Sequence, residues 1–220
     1  MVQAPATKLK LIVEDFPALT FEEFLQWDDG TDRLFELDHG IPVPITDPNA
    51  THENVGDGLW QVLNDHCKVE KLSYVPKRGK QVKLKTEPGE KEKSRRADII
   101  IFAKDEWQKL ENSPSSAIAY TPPPMVIEVT STNWKDDYLT KLGQYEDLGI
   151  QEYWIVDYKA FGGTRYIGMP KQPTIFVYQF DLNRKEYQIP QEFREDQLIK
   201  SNIFPKIKLT AKQVFQLARW

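Results

Sequence analysis

A carboxylate in the middle of an apolar strand needs a reason to be there. The run Met125 to Ser131 reads Met-Val-Ile-Glu-Val-Thr-Ser. Side chains alternate between faces in an extended segment, so Met125, Ile127 and Val129 share one face while Val126, Glu128 and Thr130 share the other. Desolvating Glu128 there is costly unless it is paired, hydrogen-bonded or bound to a cation. Upstream, Arg95-Arg96-Ala97-Asp98 leads into Ile99-Ile100-Ile101-Phe102, which reads as a buried strand with an acid at its entrance. Neighbouring strands that present Asp98 and Glu128 at one height would concentrate negative charge and attract a hard divalent cation with oxygen ligands, Mg²⁺ above all. The plainer alternatives are a strand-entry acid paired with Arg95 or Arg96, and a buried ion pair between Glu128 and Lys141.

The elements that must position these groups are set by pattern and punctuation. Thr20-Phe-Glu-Glu23 has capping-box spacing, so a short helix starts near Thr20 and stops at Gly30. Arg33 to Leu37 and Ile41 to Ile45 flank the turn Asp38-His39-Gly40 as a hairpin, with Pro42 and Pro44 placing its second strand at an edge. A helix is expected from Thr51 to Cys67, with His52 in its first turn. Strands are expected at Lys71 to Arg78 and Gln81 to Thr86, then a charged loop to Ser94, then the Asp98 strand. The segment from Ser113 to Pro124, closing on three prolines, is a loop.

After Glu128, the residues Ser131, Thr132 and Asp136 offer N-caps for a helix from Asp136 to Leu148. Its apolar stripe is Leu139, Leu142, Tyr145 and Leu148, and Gly149 stands at C′. The strand Glu152 to Asp157 comes next, with Tyr153 and Trp154 as core and Glu152 and Asp157 as structural acids. Strand, helix, strand with short connections predicts a crossover with right-handed parallel pairing. Short antiparallel candidates lie at Thr174 to Phe180, Lys185 to Ile189 and Leu198 to Ser201, and Thr210 caps a helix from Ala211 to Trp220. No internal repeat or separating linker appears. The expected fold is therefore a single mixed α/β domain over residues 1–220, a central mixed sheet flanked by helices with an N-terminal helix and hairpin.

Composition bounds the function. At 220 residues, 40% hydrophobic and 28% charged, the chain can bury a substantial core. No apolar run approaches the roughly 18 to 20 residues that span a bilayer, and Met1 to Lys8 lacks a signal-peptide pattern. The expected location is cytoplasmic. Cys67 is the only cysteine, which excludes a disulfide framework and any CxxC metal site. A net charge of −4 argues against coating nucleic acid over the whole surface. Positive residues do cluster from Lys77 to Arg96, next to Asp98, either as a local phosphate footprint or as a solvated hairpin that discourages edge pairing.

Asp98 and the tripeptide Glu128-Val129-Thr130 resemble the core of the PD-(D/E)XK nucleases. At a finer level the chain resembles the bacterial Uma-two family of restriction endonucleases. The likeness rests on Arg33-Leu-Phe-Glu36-Leu-Asp38-His-Gly40, the His52 helix, Ala97-Asp98, Pro124 to Thr132, Lys141 to Tyr145, Gly149-Ile-Gln-Glu152-Tyr153-Trp154-Ile-Val-Asp157 and Ile203-Phe204-Pro205. It spans roughly residues 18 to 217 and implies a restriction-endonuclease-like core hydrolysing DNA phosphodiesters. It further implies Mg²⁺, with Mn²⁺ as a substitute, held by Asp98 and Glu128 with the Val129 carbonyl as a third ligand, and a homodimer.

The likeness breaks at two places. Thr130 stands where the superfamily has lysine, and Ala97 where it has proline. A hydroxyl supplies no cationic donor, so Lys141 on the next helix takes that part, with Lys135 as runner-up. The pair Gln144 and Tyr145 is reminiscent of a motif of RecB-like nucleases. Glu36 resembles the family's early glutamate and could add a metal or water contact; His52 could contact phosphate or act as general base. The alternative is a weakly active or inactive nuclease-fold protein that binds DNA or a protein partner.

Overall fold

The structure, a computed structural model, describes residues 18–114 and 116–219. The Met1 to Lys8 stretch and Trp220 lie outside the described residues. The chain folds into a mixed sheet sandwiched between helices, with a separate hairpin at its N-terminal end. Helix α1 (Phe21–Gln26) carries the expected capping box between Thr20 and Glu23. Strands β1 (Phe35–Asp38) and β2 (Ile41–Pro44) form the expected hairpin, with His39 and Gly40 both at positive φ in its turn. Helix α2 (Ala50–Val69) begins earlier than its apolar pattern because the Asn49 side chain accepts the His52 N–H at 3.1 Å and caps it.

The main sheet has seven strands in the order β3 (Tyr74–Lys83), β4 (Ser94–Ala103), β5 (Met125–Val129), β6 (Glu152–Asp157), β7 (Thr174–Asp181), with β8 (Glu186–Tyr187) and β9 (Gln191–Phe193) both on β7. β5 and β6 run parallel, as the crossover predicts, and the other pairs are antiparallel. Between β4 and β5 lies α3 (Lys104–Glu111), which sequence reading did not find. It has no side-chain N-cap and buries none of its residues completely.

The two faces of β5 feed different cores. Met125, Ile127 and Val129 pack against α2 and α5 (Ala211–Gln216), together with Ile99, Ile101 and Trp154. Val126 packs on the other side with Ile100, Ile155, Tyr138 and Tyr145, under the crossover segment. Each fully buried aliphatic side chain of this kind contributes about 1.5 to 3 kcal/mol, so the sheet end that carries the acids is held rigidly from both sides.

Several boundaries differ from expectation. The two strands at Lys71 to Arg78 and Gln81 to Thr86 are one, β3, because Gly79 takes φ +58° within the pairing instead of turning the chain back. The segment Leu198 to Ser201 forms only an isolated bridge between Leu198 and Thr210, and the Lys185 to Ile189 candidate shortens to β8.

The crossover helix departs furthest. The helix begins at Trp134, turns π-helical over Asp136–Lys141 and returns to α over Leu142–Leu148, α4. No side chain caps the π segment itself; upstream, Ser131 Oγ accepts the Asn133 N–H at 3.4 Å, and Asp136 lies inside the helix rather than at its cap. A π turn holds more residues than an α turn and so shifts the phase of the residues around it. Leu139 is therefore 46% exposed, while Tyr138 and Asp137 are buried in its place. Gly149 adopts φ +79° at the end of α4, as its C′ position requires.

Candidate active site

β4 and β5 pair through Ile99 with Ile127, Ile100 with Val126 and Ile101 with Met125. Continuing that register sets Asp98 across from Glu128. There the side chains take over from the backbone ladder. The Val129 N–H donates to Asp98 Oδ2 at 2.7 Å, and the Asp98 N–H donates to Glu128 Oε2 at 3.4 Å. On the other side of β4, Arg78 pairs with Ile99 and Lys80 with Ala97, leaving Gly79 opposite Asp98. The alternation of faces slips at this point, since Ala97 packs with Ile100 and Phe102 while Ile99 packs with the opposite core.

Like charges directly opposite in a ladder repel, and a cation answers them. Lys141 Nζ lies 3.1 Å from Glu128 Oε2 and 3.1 Å from Asp137 Oδ1. The Tyr145 hydroxyl donates to Glu128 Oε1 at 2.6 Å, and the Tyr153 hydroxyl donates to the Asp137 carbonyl at 3.0 Å. The π turn is what brings Asp137 to this point, so two carboxylates flank one ammonium, with the charge of Asp98 acting on it from farther off. Burial pushes Glu128 up to about 8, with the charges of Asp98 and Asp137 adding to the push and Lys141 opposing it. Burial likewise raises Asp137 to about 6. Burial works against the Lys141 ammonium, yet Glu128, Asp137 and Asp98 outweigh it and hold the lysine charged.

Asp98 behaves in the opposite sense. Burial disfavours its carboxylate, but the hydrogen bond and charge of His52, the Lys141 charge and the Val129 N–H together hold it below the usual range. His52, buried in the first turn of α2, places Nε2 2.7 Å from the Val129 carbonyl and 3.3 Å from Asp98 Oδ2. A carbonyl only accepts, so Nε2 carries a hydrogen. Burial works against the His52 cation, and Asp98 more than restores it.

Asp98, 22% exposed, borders a cleft of about 490 Å³ whose wall includes Arg78, Gly79, Arg96 and Glu53. The cleft separates this arrangement from a closed internal ion pair: Glu128 is sealed, at 1% exposure, while its neighbour faces open space.

A scan against family models matches the chain over residues 21–212 to Uma2, described as "Putative restriction endonuclease". The chain belongs to the Uma2 family. No curated protein matches it. Among solved structures it is similar to a crystal structure from Anabaena variabilis ATCC 29413 described as a putative nuclease belonging to DUF820. The identity is 21%, the TM-score 0.68, and the likeness covers 91% of this chain and 99% of the other. At that identity the likeness establishes the shared fold.

Of the residues expected in a Uma2 protein, the structure brings Asp98, Glu128, Val129, Lys141 and His52 into one contiguous network. Glu36 lies just outside it. Its Oε2 is 2.8 Å from an Arg95 guanidinium nitrogen and its Oε1 accepts the Arg96 N–H at 2.7 Å, while Arg95 also donates to Gln144 at 2.8 Å. Glu36 thus braces β4 against the crossover helix. Lys135 is exposed, its Nζ 6.0 Å from the centre of the Trp134 ring. The Thr130 hydroxyl is buried without a hydrogen-bond partner among the described residues.

Asp137 escaped sequence reading. An α-helical count places it off the buried stripe; its only signal was the spacing of four from Lys141.

The donors present suit a hard cation in kind. Asp98, Glu128 and the Val129 carbonyl offer oxygen only, and Mg²⁺ needs one or two carboxylates, keeping waters and substrate oxygens for the rest. No three His, Cys, Asp or Glu side chains form a ready-made metal cage among the described residues. The excess of carboxylates over cations is the feature that favours an added positive ion.

Proposed function

We propose that the protein is a Mg²⁺-dependent DNA endonuclease, with Mn²⁺ able to substitute, that hydrolyses phosphodiester bonds at Asp98 and Glu128. The observation that carries this reading is the reciprocal hold of these two carboxylates on each other's strands, with Asp98 at the rim of an open cleft and Glu128 sealed behind it. Asp98 and Glu128, with the Val129 carbonyl, would hold the ion. When bound, it would polarise a phosphate oxygen and acidify a water.

The chain's own residues have separate tasks. Lys141 keeps Glu128 and Asp137 in place and supplies the positive charge that Thr130 cannot, near the phosphate on which negative charge grows. His52 holds the Asp98 carboxylate and the Val129 carbonyl in register through Nε2. Its other nitrogen, Nδ1, is buried away from solvent with no hydrogen-bond partner among the described residues, so His52 positions ligands rather than abstracting a proton from water. Glu36 aligns Arg95 and β4 in the same indirect way. Cutting both strands of a duplex takes two such sites, which a homodimer would supply. No described helix is long and apolar enough to cross a membrane; action on DNA would place the protein in the cytoplasm.

Incubating supercoiled plasmid with the protein in Mg²⁺, Mn²⁺ or EDTA tests the reading. Nicking that needs the metal and disappears in Asp98→Asn is the expected result. Folded protein that leaves every DNA form intact in both metals overturns it. The Lys141 clamp favours a second reading in that event, a nuclease-fold protein that binds DNA or a protein partner without cutting, and retained DNA binding under the same conditions would support it.

A further inference from the structure

The positive side chains around the cleft differ in how they are neutralised. Lys141 answers to Glu128 and Asp137, Arg95 to Glu36 and Asp136, and Arg78 to Glu53 and Asp57. Arg96 is different. Its backbone N–H is bound by Glu36, but its guanidinium has no hydrogen bond and no ion pair among the described residues. It is half-buried in the cleft wall, two residues before Asp98 on the same strand.

Its seat is specific. The guanidinium lies over Gly79, where an added methyl would stand 3.1 Å from one of its terminal nitrogens. Burial works against its charge, and the more distant attraction of Glu36 only partly offsets this. An arginine does not escape the penalty by losing its proton. A half-buried guanidinium with no internal anion calls for an external one.

We infer that Arg96 grips a backbone phosphate of duplex DNA in the cleft beside Asp98, its planar fork meeting two non-bridging oxygens. This rests on the endonuclease reading and adds to it the residue that seats the substrate. A phosphate suits the seat because the wall beside it is acidic. Glu53, Asp98 and the sealed acids behind them repel a polyanion in general, so one uncommitted fork fixes where the backbone can approach. The strand places Arg96 and Asp98 so that a phosphate on the first lies next to the second.

Binding of a fluorescent DNA duplex, measured with Ca²⁺ in place of Mg²⁺ over about 50 to 200 mM salt, tests the inference. Arg96→Gln is expected to raise Kd roughly tenfold and to lower the slope of log affinity against log salt by about 1. Arg96→Lys should restore the slope but only part of the affinity, since an ammonium keeps the charge without the fork. Arg184→Gln, a change at an exposed arginine paired with Glu186, should alter neither.

Arg96→Gln that stays folded and binds with the wild-type Kd and slope overturns the inference, and wild-type cleavage in the same preparation leaves the endonuclease reading standing. Wild-type protein that neither binds nor cuts DNA overturns both. Should Arg96→Gln fail to unfold cooperatively, Arg96→Lys decides: weakened affinity with the wild-type slope supports the grip, and unchanged affinity refutes it.

Discussion

Glu128 and Glu152 are both buried glutamates, on adjacent parallel strands, yet their surroundings differ in kind. Glu152 accepts hydrogen bonds from Trp154 Nε1 at 2.7 Å, Ser201 Oγ at 2.6 Å and the N–H groups of Asn202 and Ile203 at 2.6 and 3.4 Å. All of its donors are neutral, so this carboxylate ties the segment after β9 to the sheet. Glu128 meets a lysine, a tyrosine and the backbone of another acid, with Asp98 and Asp137 as like-charged neighbours and an open cleft alongside. A carboxylate used as glue is surrounded by donors. The glutamate that the proposed function uses for chemistry is crowded by its own kind.

Substitutions on the two sides should therefore separate activity from stability. The largest effect is expected from Asp98→Asn, which should lower cleavage by about 1000-fold or more in protein that still folds, with a smaller loss of thermal midpoint because His52 and the Val129 N–H favour the carboxylate; gel assays and calorimetry on one preparation check both. Glu152→Ala should do the reverse. Stranding its buried donors should cost about 3 kcal/mol, a fall in Tm of about 6 to 12 °C, with cleavage per folded molecule unchanged. If Glu152→Ala abolished activity in folded protein, the contrast between the two glutamates would collapse.

Lys141→Gln comes next, with kcat lower by about 100-fold at a similar KM and some loss of stability, because Glu128 and Asp137 lose their cation. Normal kcat in this variant would remove Lys141 from the chemistry. The smallest effect is expected at Thr130→Val. Removing a buried hydroxyl without a partner should stabilise by up to about 1 kcal/mol and leave cleavage alone. A drop in cleavage would show that Thr130 contributes to the site in spite of its short polar side chain.

The same division governs how much of the molecule was legible in the sequence. Strand alternation alone marked Glu128 as a carboxylate with a purpose, and the acid at the entrance of the isoleucine run marked Asp98, because both signals are local. The crossover helix was legible as a helix, but Tyr138 and Asp137 were not legible as its buried residues. A π turn rewrites the phase, and nothing in the spacing announces it. Gly79 reads as a turn between two strands for a related reason: a glycine signals positive φ without saying whether the chain reverses or continues. The Glu36 to Arg95 brace joins segments far apart in sequence, and Arg96 stood out only after Lys141, Arg95 and Arg78 had each been matched to their carboxylates.

The central claim is that Asp98 and Glu128 together form a seat for a divalent ion. Calorimetric titration of Mn²⁺ into metal-free protein tests it most directly. Saturable binding in the wild type that is lost in Asp98→Asn and in Glu128→Gln is the expected result. Binding that persists unchanged in both variants, or a folded wild type that takes up no Mn²⁺ at all, would contradict it.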